Sequence, residues 1–128
     1  RIAQVREVGA HTAVGYGYTF RARRSMRLAT ISLGYADGWP RSLSGCGAAW
    51  FGDVELPVVG RISMDSFVVD VSGLDRTAVA AGDFVELIGR HQSPDAVARS
   101  AGTIGYEVLT GLKGRYRRTY TGRSCIGI

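Results

Sequence analysis

The sequence predicts a mainly β fold: a small antiparallel, barrel-like domain with one or two short helices near residues 94–112. Three observations lead there. Short runs of aliphatic and aromatic residues recur along the chain, separated by turn dipeptides. Glycine supplies 18 of 128 residues, which suits many tight turns. Only one segment opens with unmistakable helix-start chemistry, at Ser93-Pro94-Asp95.

In chain order, a first strand ends at Val5–Val8, before Gly9-Ala10-His11. Arg27–Leu33 is a second, bounded by Gly34, and Tyr35–Gly38 follows as a turn built on Asp37-Gly38. Ala48–Phe51 and Val54–Val59 flank Gly52-Asp53 and are expected to pair as a hairpin. Phe67–Val71 is Val-rich, and Phe84–Ile88 follows the turn Ala81-Gly82-Asp83, so both are expected as strands. Ser93 caps a helix with Pro94 at its first position and Asp95 at the positive end of the dipole, and Gly102 stops it. A second helix is expected over Ile104–Leu112, with Ile104, Val108 and Leu112 on one face. A last strand, Arg115–Tyr120, is expected to close the sheet.

The length fits one domain, and 45% hydrophobic with 21% charged residues is ordinary for a globular one. The chain opens on Arg1 directly in structured sequence, so we expect a piece of a longer polypeptide. It shows no signal-peptide pattern and no apolar run near the ~20 residues of a membrane helix. The net charge of +5 comes from 15 Arg and a single Lys, Lys113, spread along the chain apart from Arg21–Arg27 and Arg115–Arg118. Cys46 and Cys125 are isolated thiols, and His11 and His91 stand apart, so no zinc-ligand spacing is present.

Four segments have the composition of a site. Val14-Gly15-Tyr16-Gly17 sets a phenol between two glycines, where it is presented to a ligand or simply tops a glycine-rich turn. Gly34-Tyr35-Ala36-Asp37-Gly38 leads through Trp39-Pro40 to Arg41, and reads equally as a turn with a packed Trp39. Gly60-Arg61-Ile62-Ser63-Met64-Asp65 joins two strands, with Arg61 and Asp65 able to form a surface ion pair. Thr103-Ile104-Gly105-Tyr106-Glu107 starts the second helix. In this order and spacing, VGYG, GYADG with its following Arg, GRISMD and TIGYE resemble the C-terminal domain of alanine racemases, over roughly Val14 to Tyr120.

The resemblance implies a pyridoxal-phosphate-dependent isomerase, in which an N-terminal α/β barrel holds the cofactor on a Lys. It implies a homodimer, where the C-terminal domain of one subunit reaches the cofactor in the barrel of the other. Racemisation removes a proton from one face of Cα and returns one to the other, so two acid–base groups flank the substrate. One is the barrel's Lys; the other maps to Tyr16. A phenol has a pKa of about 10, and bringing it to about 7 takes roughly 4 kcal/mol of preferential phenolate stabilisation. Met64 matches the residue whose backbone N–H helps hold the substrate carboxylate, with Asp65 beside it. Tyr106 matches the residue that contacts the cofactor phosphate and, with Tyr35, lines the inner entrance; Arg41, Arg61 and Ile104 match the wider corridor.

This chain departs from the family where Ser63 replaces a common Cys, Gly105 a common Asn, Gly17-Tyr18-Thr19-Phe20 a Gly-Ala-Thr-Tyr, and Arg117 a Pro. Lys113 matches no cofactor motif, so the chain alone is expected to be inactive. The small amino-acid substrate is alanine by default, with serine-selective and broad relatives sharing the motifs; the family setting is cytoplasmic supply of D-alanine to cell-wall peptidoglycan. The exposed Tyr16 and Met64 loops are expected to promote self-association of the isolated piece. Two other classes stay open: a single-stranded nucleic-acid binder using Tyr16, Tyr18, Phe20 and Arg21–Arg27, which leaves GRISMD and GYADG unexplained, and a non-catalytic interaction module.

Overall fold

The computed structural model describes residues 1–15, 17 and 20–122. Its centre is a five-stranded antiparallel sheet. The strands are β1 (Ile2–Val8), β4 (Met26–Ile31), β7 (Phe67–Asp70), β6 (Val54–Val59) and β5 (Ala48–Phe51), in that spatial order. Strands β2 (Ala13–Val14) and β3 (Phe20–Arg21) form a separate two-stranded ribbon. The β5–β6 hairpin turns through Gly52-Asp53, with Phe51 opposite Val54, as the dipeptide predicts.

Both faces of the central strands are buried, and the two-residue period sorts them. Ala29 and Ile31 of β4, Phe67 and Val69 of β7, and Leu56 and Val58 of β6 point into the main core. Met26 and Leu28 of β4 and Val59 of β6 point the other way, into a smaller cluster with Val14 under the ribbon. The ribbon therefore lies on the outer face of the sheet. The loop at its tip, between Val14 and Phe20, is rooted there.

Two expected strands are absent. Residues 84–88 form no strand: a single bridge joins Glu86 to Trp50, and Phe84 is exposed. The stretch from Gly82 to Glu86 passes instead between the two sheet edges. Gly82 and Asp83 exchange backbone bonds with Ile2 of β1, and Glu86 exchanges them with Trp50 of β5, all at 2.8 Å. The sheet is not closed strand to strand, but backbone bonds run from one edge to the other through this irregular stave. The stave also fills the place expected for Arg115–Tyr120, which form no strand and, Tyr116 apart, are exposed.

Helix α1 (Pro94–Ala101) has the predicted bounds. The Ala96 N–H donates to Ser93 Oγ at 3.1 Å, and Gly102 is the left-handed cap. Helix α2 is shorter than predicted, Gly105–Thr110, because Ile104 is extended and Gly111 ends it. The expected apolar face is not buried as a stripe: Val108 is 2% exposed, but Ile104 and Leu112 face outward. Among the described residues no helix is long and apolar enough to cross a membrane.

Candidate functional site

The site is assembled by two connections that approach each other above the sheet. The first follows β4. Gly34 leads into a 3-10 turn, Tyr35–Asp37, which Gly38 ends at φ +95°. Trp39 then drops into the core, 2% exposed, and stacks on Phe67 with ring centroids 6.0 Å apart. A second 3-10 turn, Arg41–Leu43, leads towards β5. Gly38 is required twice over: its φ is left-handed, and a Cβ would collide with the Gly111 carbonyl after α2. That close approach seats the end of α2 on the turn.

The second connection, residues 60–66, joins β6 to β7. The Tyr35 N–H donates to the Ser63 carbonyl and the Ala36 N–H to the Met64 carbonyl, each at 3.0 Å. The Ile62 N–H donates to Ser44 Oγ at 2.9 Å, which ties the loop to the turn after Arg41. Ser63 Oγ donates to the Ser66 carbonyl at 2.8 Å and closes the loop on itself. A depression of about 460 Å³ results, lined by Tyr35, Arg41, Ile62, Ser63, Met64 and Asp65. Four of the predicted site residues thus share one concavity. Among the described residues the Met64 N–H has no hydrogen-bond partner, while its carbonyl is taken by Ala36.

The ribbon loop abuts the same connection. A Cβ on Gly60 would meet the Val14 carbonyl at 3.0 Å and Gly15 Cα at 3.3 Å, so the two backbones pack directly. A Cβ on Gly17 would meet Arg61 Nη1 at 3.4 Å. Arg61 is therefore not in the depression but against the glycine that follows position 16, and it does not pair with Asp65. Tyr16, Tyr18 and Cys125 lie outside the described residues; Cys46 is exposed.

Asp65 pairs instead with Arg115, which the sequence reading assigned to a strand. Arg115 Nη2 donates to Asp65 Oδ1 at 2.7 Å, and Nε lies 3.2 Å from Asp37 Oδ1. Asp37 is the one buried charged residue among those described, and its Oδ2 accepts the Gly34 N–H at 3.0 Å. The hydrogen bond to Asp65, and then the charge of Asp37, raise the Arg115 pKa further above its ordinary value. Burial, and then the Asp37 charge, push the Tyr116 phenol above its ordinary value. Asp37 carries a faint sequence signal as the acidic member of a turn; Arg115 carries none.

The remaining predicted residues stand apart. Ile104 is the N-cap of α2 and 65% exposed; Tyr106, in its first turn, is 80% exposed. Neither lines the depression. Gly105 admits the Asp95 carboxylate, which a Cβ would strike. Among the described residues no group of three His, Cys, Asp or Glu is placed to hold a metal ion.

Residues 1–120 match the family model "Alanine racemase, C-terminal domain". The chain is 52% identical over 119 residues to a catabolic alanine racemase of Agrobacterium fabrum, covering 93% of the chain and 31% of that protein. It is 53% identical over 120 residues to the alanine racemase of Brucella ovis, covering 94% and 30%. Among solved structures, the alanine racemase of Bartonella henselae with covalently bound pyridoxal phosphate superposes with a TM-score of 0.89. The identity there is 49%, over 94% of this chain and 33% of that one. The biosynthetic alanine racemase of Pseudomonas aeruginosa gives 0.86 at 41% identity, over 94% and 33%. The chain thus spans about a third of the length of the curated relatives it matches.

Proposed function

The chain belongs to the alanine racemase C-terminal domain family, and from that premise we propose that its 128 residues are the C-terminal domain of a pyridoxal-phosphate-dependent alanine racemase. It works against an N-terminal barrel of the same parent and of a second subunit in a homodimer. The observation that carries this reading is the convergence of Tyr35, Arg41, Met64 and Asp65 on one depression. The backbone packing of Gly15 on Gly60 sets that depression beside the root of the Tyr16 loop.

Each residue of the chain has a defined task in this reading. Tyr16 holds and delivers a proton at one face of the substrate Cα, opposite the barrel's Lys. The Arg61 guanidinium lies against Gly17, the residue that follows Tyr16 in the chain, and a cation near a phenol favours the phenolate. The Met64 N–H, without a partner among the described residues, is available to a substrate carboxylate, with Asp65 next to it. Arg41 and Arg61 favour the arrival of anionic groups, and Tyr35 narrows the entrance with Tyr106 and Ile104.

The residues present fit a part that covers the cofactor and not one that anchors it. Lys113, the sole Lys, is exposed and stands outside the depression, whereas Tyr106 offers an exposed phenol to a phosphate. When bound, pyridoxal phosphate supplies an electron sink for the carbanion at Cα. In the cell the product is D-alanine for peptidoglycan, made in the cytoplasm.

The test follows conversion of L- to D-alanine by the full-length parent with Tyr16 intact and as Tyr16→Phe. We expect kcat to fall by at least about 100-fold, the usual scale for removing an acid–base group. Full activity in Tyr16→Phe removes the assignment. The 128-residue chain alone, given pyridoxal phosphate, is expected to be inert; racemisation there would sink the half-site reading.

A further inference from the structure

We propose that Arg115 is a positioning residue: by bridging Asp37 and Asp65 it holds the Tyr35 turn against the Met64–Asp65 loop and sets the shape of the depression they share. The inference rests on the reading of that depression as half of a racemase site.

The geometry leaves little freedom at this junction. Both oxygens of Asp37 are occupied from different directions, Oδ2 by the Gly34 N–H and Oδ1 by Arg115 Nε. The Asp37 side chain is only 10% exposed, so without Arg115 it is a nearly buried charge with no paired cation among the described residues. Arg115 reaches Asp65 with a different nitrogen, Nη2, which a planar guanidinium can do and a Lys ammonium cannot do with the same reach. The two backbone bonds between the connections end at Met64, so Asp65 is tied to the turn through Arg115 alone among the described residues.

A second observation explains how an irregular segment can serve as a clamp. Tyr116 is half-buried in an apolar groove of about 330 Å³ with Leu33 and Trp39. Leu33 precedes the Tyr35 turn and Trp39 follows it. Arg115 is therefore fixed from behind by its chain neighbour, on the same connection it holds from the front. An isolated surface ion pair contributes little. Here the pair instead joins a buried carboxylate to a loop that lines the site, and its consequence is geometric.

The experiment uses the full-length holoenzyme as Arg115→Ala and Arg115→Lys, with steady-state kinetics on alanine and amide hydrogen exchange. In Arg115→Ala, KM is expected to rise roughly tenfold with kcat changed less than about threefold, a misplacement of binding groups and not a lost proton transfer. Amide exchange at Tyr35 and Ala36 should quicken. Arg115→Lys should recover part of the KM and protect these amides in part, since one ammonium still neutralises one carboxylate. If Arg115→Ala does not fold, Arg115→Lys against the unmodified enzyme decides by the same two readouts. An unchanged KM, a fall in kcat alone, or a lower thermal midpoint without faster exchange at Tyr35 and Ala36 overturns the proposal. If the unmodified parent does not racemise alanine, the functional reading fails on its own, and the exchange data still decide the role of Arg115.

Discussion

The turn at Tyr35 and the loop at Met64 fix their residues from several directions, whereas helix α2 carries Tyr106 and Ile104 on one well-buried anchor. On the first side are two backbone bonds, the Asp37–Gly34 bond and the Arg115 bridge. On the second, Val108 packs inward and Gly111 meets Gly38, while Tyr106 and Ile104 project outward. The difference separates two kinds of site residue. In the proposed reading, groups whose mutual geometry is set within the domain are cross-tied, and groups that would meet a surface of the barrel are carried on a less tightly held element.

The sharpest way to break the comparison is at Gly38, where the two regions touch. Gly38→Ala is expected to destabilise the domain by about 3 kcal/mol or more, combining a strained φ with a collision against the Gly111 carbonyl. Chemical denaturation reads this directly; a change under about 1 kcal/mol would mean that the contact is easily relieved. Next is Val108→Ala, expected to cost roughly 2 kcal/mol through lost burial and a residual cavity. If α2 has a single anchor, exchange protection should fall across Gly105–Thr110 and stay unchanged at Tyr35 and Ala36.

The smallest effect is a pH dependence. The Tyr116 phenol has its pKa raised in the folded chain, by burial first and the Asp37 charge second. Such a group contributes stability that is fully present below its unfolded pKa of about 10 and is lost as pH rises through the higher folded value. Urea midpoints measured from pH 9 upward should therefore fall more steeply for the natural chain than for Tyr116→Phe. Equal slopes would show that the phenol is not held in the groove.

What the sequence made legible was local. Ser93, Pro94 and Gly102 bound α1 because caps are satisfied by their own neighbours, and Gly52-Asp53 set the β5–β6 hairpin for the same reason. Residues 84–88 and 115–120 have acceptable strand composition, yet a strand exists only where a partner offers an edge. Gly82 and Asp83 bond Ile2 at one edge and Glu86 bonds Trp50 at the other, so residues 84–88 cross between two edges and do not extend along either. The motifs named Tyr35, Arg41, Met64 and Asp65, and these four line one depression. They missed Arg115, because a side chain bonded to a residue 50 positions away leaves no periodic trace. The ion pair left open between Arg61 and Asp65 does not form, and Arg61 lies against Gly17, since backbone packing of Gly15 on Gly60 is invisible in a string of letters.

The stave of residues 82–86 has a bearing on how open the edges of the sheet are. A sheet with bare flanks invites other chains to add on and grow into fibrils. Ile2 is already bonded to Gly82 and Asp83, and Trp50 to Glu86, so one rung at each edge is taken before another strand arrives. Lateral addition would have to begin away from those two rungs, on a shortened stretch of edge.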